Sequence, residues 1–146
     1  MKKQVLSIIA LSGLLFTLMT GTVSATSTIR LRANIPFEFS VGDRTLPAGR
    51  YTVERINPYV LLIRSQDCHQ SALSLANGVQ ARVTSETGKL VFHRYGSRYF
   101  LSQVWSGGTS DGYELPRSRA EQELRKSQKH LAGNTLKPET TTIQAE

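Results

Sequence analysis

Residues 29–41 read IRLRANIPFEFSV, and their alternation decides the fold class. Ile29, Leu31, Ala33, Ile35, Phe37, Phe39 and Val41 fall on odd positions, with Arg30, Arg32, Asn34, Pro36, Glu38 and Ser40 between them. Successive strand residues point to opposite faces. One side of a long strand, or of two collinear ones, therefore meets a core and the other meets water. Pro36 has no amide hydrogen to give a ladder and marks an edge or a bulge. Beyond it, Gly42-Asp43-Arg44-Thr45 and Leu46-Pro47-Ala48-Gly49 read as turns. Tyr51 and Val53 resume the alternation, and Asn57-Pro58 breaks it.

Further along, Tyr59-Val60-Leu61-Leu62-Ile63 is continuously apolar, as a strand buried on both faces would be. Leu73 and Leu75 mark a short strand, and Asn77-Gly78 predicts a hairpin turn into Val79, Ala81 and Val83. In residues 89–105, KLVFHRYGSRYFLSQVW, a two-residue turn at Gly96-Ser97 sets Phe92 opposite Leu101, Arg94 opposite Tyr99 and His93 opposite Phe100. Leu90, Phe92, Tyr99, Leu101 and Trp105 then form a core face, and the other face is mixed. Ser118 opens a helix over 117–133 with a capping box to Glu121, and Glu121–Arg125 adds an i,i+4 pair. The stripe Ala120, Leu124 and Leu131 is thin, so the helix packs lightly, and the tail 134–146 reads as disordered. The expectation is an all-β barrel-like or sandwich domain over residues 26–116, about seven to eight antiparallel strands, with one C-terminal α-helix.

The N-terminus predicts export. Lys2 and Lys3 precede an uncharged run from Val5 to Met19, and Val23-Ser24-Ala25 places small residues before a cut between Ala25 and Thr26. That run, about 15 residues, is short of the roughly 20 that a membrane span needs. Residues 1–25 therefore read as a signal peptide, with no transmembrane span after cleavage and a periplasmic or extracellular destination. Removing Lys2 and Lys3 lowers the net charge from +7 to +5, an arginine-rich excess scattered along the strands. In an exported protein that excess suits anionic envelope polymers or lipid head groups better than nucleic acid. Cys68 is the single cysteine, so no disulfide within the chain staples the domain.

Three stretches carry a resemblance. PFEFSVGDRTLPAGRYTVERI (36–56), KLVFHRYGSRYFLSQVW (89–105) and ELPRSRAEQEL (114–124) resemble a family of small exported bacterial β-domain proteins. Its marks are a signal peptide, a P-F-x-F-x-V-G…L-P-A-G-x-Y-x-V phrase and an H-R-Y-G-x-R-Y-F-L hairpin. The resemblance implies export and a β-fold and carries over no active residue.

Catalytic and metal motifs are lacking in the sequence. His69, His93 and His130 are dispersed, with no H-E-x-x-H and no C-x-x-C, so neither a metal nor a cofactor is expected. No G-x-S-x-G elbow appears. The acids before the helix are Glu38, Asp43, Glu54, Asp67, Glu86, Asp111 and Glu114, and Asp111 and Glu114 are the best placed for an enzyme acting on a cell-wall glycan. The candidate binding surface is the hairpin, where His93, Arg94, Tyr95, Arg98, Tyr99, Phe100 and Trp105 could offer stacking area and charge. These features favour a non-enzymatic module that binds an envelope polymer or a protein partner. A glycan-acting enzyme with dispersed carboxylates is the alternative, and a structural role through the helix or tail is a third reading.

Overall fold

The computed structural model describes residues 29–132 and 138–146, so the expected leader and its cleavage site at Ala25–Thr26 lie outside the described residues. The domain is all-β and sandwich-like, with one C-terminal helix. Strands β1 (Arg30–Ile35), β4 (Gly49–Asn57), β5 (Val60–Ser65) and β6 (Ser71–Leu75) form an antiparallel sheet in the order β1-β4-β5-β6. The second sheet takes β7 (Asn77–Gln80), β8 (Gly88–Tyr95), β9 (Arg98–Trp105), β10 (Asp111–Glu114) and β11 (Glu139–Ala145) in the order β11-β8-β9-β10-β7. The short β2 (Phe39–Val41) joins β9 in parallel and pairs with β3 (Arg44–Leu46). Helix α1 spans Arg119–Ala132.

Period two is kept where the sequence showed it. Leu31, Ala33 and Ile35 are buried on the first sheet, and Phe39 and Val41 on the second. The chain changes sheet between them, at Pro36. Tyr51, Val53, Leu61 and Ile63 face Phe92, Leu101 and Val104 across one core. Phe39 meets Phe92 and Tyr51 edge-on, at centroid distances of 5.5 and 5.1 Å. Burying a side chain the size of Phe39 or Phe92 is worth about 1.5–3 kcal/mol.

Four expectations are corrected. The tail is not disordered at 139–145: Thr141 and Ile143 of β11 pair with Phe92 and Leu90 of β8, and Arg32 and Glu146 exchange backbone hydrogen bonds of 2.7 and 2.9 Å. β11 thus closes one side of the sandwich, and a polar Thr-rich segment serves well as an edge. Asn77-Gly78 is not a hairpin turn but the start of β7, paired with Glu114 and Tyr113 of β10. The run 59–63 is fully buried on one face only, because Val60 and Leu62 are half-buried while Leu61 and Ile63 are fully buried. Eleven strands among the described residues replace the seven to eight expected, since β2, β3, β7 and β10 are only three or four residues long and β11 falls in the tail.

Candidate functional site

Hairpin β8–β9 follows the expected register from Tyr95–Arg98 to Phe92–Leu101, and Gly96 takes the positive φ (+63°) that a Gly-first turn requires. Then the ladder shifts. Val91 pairs with Gln103 and not Ser102, so a β-bulge sits at Ser102. The bulge falls where β9 changes partner, from β2 at Tyr99–Phe100 to β10 at Gln103–Trp105, and the Leu115 amide donates to the Ser102 carbonyl at 2.8 Å. One extra residue swaps the faces beyond it. Val104 becomes core, and Trp105 turns outward over Gly112, where a Cβ would stand 2.4 Å from the indole.

The expected hairpin platform therefore does not assemble. Tyr95 and Phe100 are buried, and Tyr99 stacks on Phe37 at 3.9 Å from the other face of the sheet. Arg94 bonds the Gly96 carbonyl and pairs with Glu139 at 3.3 Å, while Arg98 lies over the Phe100 ring. Trp105 gives its indole N–H to Gln103.

His93 does something the sequence did not announce. Its Nδ1 is 2.8 Å from Glu121 Oε1, and its Nε2 is 3.2 Å from Ser102 Oγ. With the ring proton on Nδ1, His93 donates to Glu121 and accepts from the serine hydroxyl. Glu121 also accepts from the Tyr95 hydroxyl at 3.2 Å and meets Arg117 Nε at 3.6 Å. Its own amide donates to Ser118 Oγ at 3.2 Å, as the capping box predicts. The return bond of that box is replaced, because the carboxylate reaches the hairpin instead. Glu121 is 3% exposed, the one buried charge among the described residues. Burial, and then the Glu121 charge, push the Tyr95 pKa up. A cavity of about 150 Å³ adjoins the cluster, lined by Asn77, Glu114, Leu115 and Arg117.

A larger concavity lies elsewhere, on the outer face of the first sheet, with a volume of about 660 Å³. Arg30 and Arg32 of β1, Arg50 of β4 and Arg64 of β5 all line it. Strand pairing brings them together: Arg32 is opposite Thr52, Thr52 is opposite Arg64, and Asn34 is opposite Arg50. Four guanidinium groups share the concavity with two acidic residues, Glu54 and Glu146. Glu54 is taken by Arg30 at 2.6 Å and Arg64 at 3.8 Å, whereas Arg32 and Arg50 make no ion pair with a described residue. Each was visible on the polar side of its strand. Their convergence needed the strand order, which the sequence does not state.

The seven acids do not gather. Glu54 lines the large groove, Asp67 a neighbouring hollow and Glu114 the small cavity. Asp67 is held below the usual carboxylate range by the Ser65 hydroxyl and the His69 amide. Cys68 and His69 are exposed in that turn, and Cys68 takes a positive φ (+62°). Among the described residues no group of three or more His, Cys, Asp and Glu could hold a metal ion, and no helix is long and apolar enough to cross a membrane. Set against protein-family models, curated proteins and solved structures, the chain matches none.

Proposed function

We propose that the protein is an exported, non-enzymatic binding module of the bacterial envelope or extracellular space, and that it takes an anionic partner in the arginine groove. The observation that carries this reading is the convergence of Arg30, Arg32, Arg50 and Arg64 on one concavity with Glu54 and Glu146 as its acidic residues. Guanidinium groups bind phosphate, sulfate and carboxylate through paired N–H donors, and arginines spread over three strands suit an extended polymer better than a small ligand. The leader-like segment 1–25 supports an envelope or extracellular destination. Titration with dextran sulfate tests the reading. Wild type binds with an affinity that falls steeply with added salt, and R32A/R50A weakens binding about tenfold or more with Tm unchanged. Equal affinity in the double variant would contradict it.

A second reading has one specific observation behind it. Ser102 Oγ, His93 and Glu121 are bonded in the order of a nucleophile, a base and its orienting acid, beside a small cavity. Three facts favour a structural role for the same atoms. Ser102 is 5% exposed, Glu121 is shared with Tyr95 and Arg117, and the cluster fixes a helix that has little apolar surface of its own. A fluorophosphonate probe separates the two. Labelling at Ser102 that is lost in S102A would establish the enzyme, and an unlabelled serine leaves the cluster as a latch.

A further inference from the structure

The outer face of the first sheet changes character along its strands. Arg32, Thr52, Arg64 and Ser71 form one cross-strand row. The next row, about 7 Å along, is Arg30, Glu54, Leu62 and Leu73, and Val60 pairs with Leu75 beyond it. Leu73 and Leu75 are 62% and 65% exposed. Tyr59, in the β4–β5 turn, is 69% exposed, and Ile56, at the bulge of β4, is 54% exposed.

Leu73 and Leu75 mark a short strand in the sequence, and hydrophobicity alone would turn such residues inward. The pairing with β5 turns Ala72 and Ser74 inward instead, leaving two leucines in water on an edge strand. A patch of this kind on a small domain marks a surface that is covered in use.

We infer that this face docks on an anionic lipid surface, with the arginine groove on the phosphates and the Leu73–Leu75 edge in the interfacial layer. The inference rests on the anion-binding reading of the groove and names its partner. Charge complementarity carries it. The cationic and apolar halves are continuous on one face, and its one carboxylate in the sheet rows, Glu54, is already paired with Arg30 and Arg64. A lipid head group with hydrocarbon behind it offers both chemistries at that spacing, and an exposed tyrosine suits the boundary between them. A soluble polyanion would engage the groove and leave the leucines in water.

The test is co-sedimentation of residues 26–146, which hold every described core residue, with phosphatidylglycerol or phosphatidylcholine vesicles. Dextran sulfate titration runs in parallel. Wild type sediments with the anionic vesicles and not with the neutral ones. L73S/L75S lowers vesicle affinity about tenfold or more and leaves dextran sulfate affinity unchanged, while R32E/R64E lowers both, by about fivefold per charge at the membrane. Vesicle affinity unmoved by L73S/L75S would overturn the membrane inference while dextran sulfate binding kept the groove. Binding to neither would overturn both. A dimer in sedimentation velocity that L73S/L75S dissolves, without vesicle binding, would give the face to a second copy and overturn the inference.

Discussion

Charge gathers in two regions of this domain, and the two are built in opposite ways. At the hairpin–helix junction a single carboxylate, Glu121, is buried and surrounded by His93, Tyr95, Arg117 and the Ser118 cap. On the first sheet several arginines are exposed together, and Arg32 and Arg50 lack an ion-pair partner among the described residues. A buried charge is tolerable only when its hydrogen bonds are made inside the protein, so the first region is devoted to stability. An exposed cluster of like charge costs little in water and is free to bind, so the second region is devoted to partners. Substitution should therefore separate them cleanly.

Glu121→Ala is the largest expected effect. It strands His93 and the Tyr95 hydroxyl and releases a helix that the carboxylate holds, at a cost of about 3 kcal/mol. Since each kcal/mol is worth about 4–8 °C in a domain near 100 residues, calorimetry should show Tm falling by more than about 10 °C. Loss of only a degree or two would mean the latch is incidental. Ser102→Ala comes next, removing one neutral hydrogen bond to His93 for about 1 kcal/mol, read from the urea midpoint.

Alkali probes the same region with a definite sign. Tyr95 is raised above the usual 10.0 by burial first and by Glu121 second. A proton held more tightly in the folded state stabilises it fully below the unfolded value, and that stability is lost as pH rises through the folded one. Wild type should therefore lose Tm above about pH 10, and Y95F should lose less. Tyr51, raised by burial and then by Asp67, keeps a remainder of the slope in the variant. Identical alkaline slopes would separate Tyr95 from the latch. The smallest effect on stability belongs to the groove: R32A/R50A should stay within about 0.5 kcal/mol of wild type, and a larger loss would erase the contrast between the regions.

How much of this was legible follows from the range of each signal. Alternation is local, so β1, β4 and the hairpin down to Phe92–Leu101 could be read directly. The bulge at Ser102 could not, because it arises where β9 trades β2 for β10, and no residue type at 102 announces it. Trp105 was consequently placed on the wrong face. Leu73 and Leu75 marked their strand but not its facing, because pairing with β5 gives the inner side to alanine and serine. The capping box at Ser118 was legible, whereas the turning of Glu121 toward His93 depends on where a helix lands on a distant hairpin. The arginines were visible one by one, and only strand order makes them a site.

The most direct test of the groove is amide chemical-shift mapping of residues 26–146 during titration with dextran sulfate. Shifts confined to 30–34, 50–54 and 64–66, and fading with salt, are the expected result. Shifts centred on 93–105 with residues 30–34 silent would contradict the assignment and return the binding surface to the hairpin.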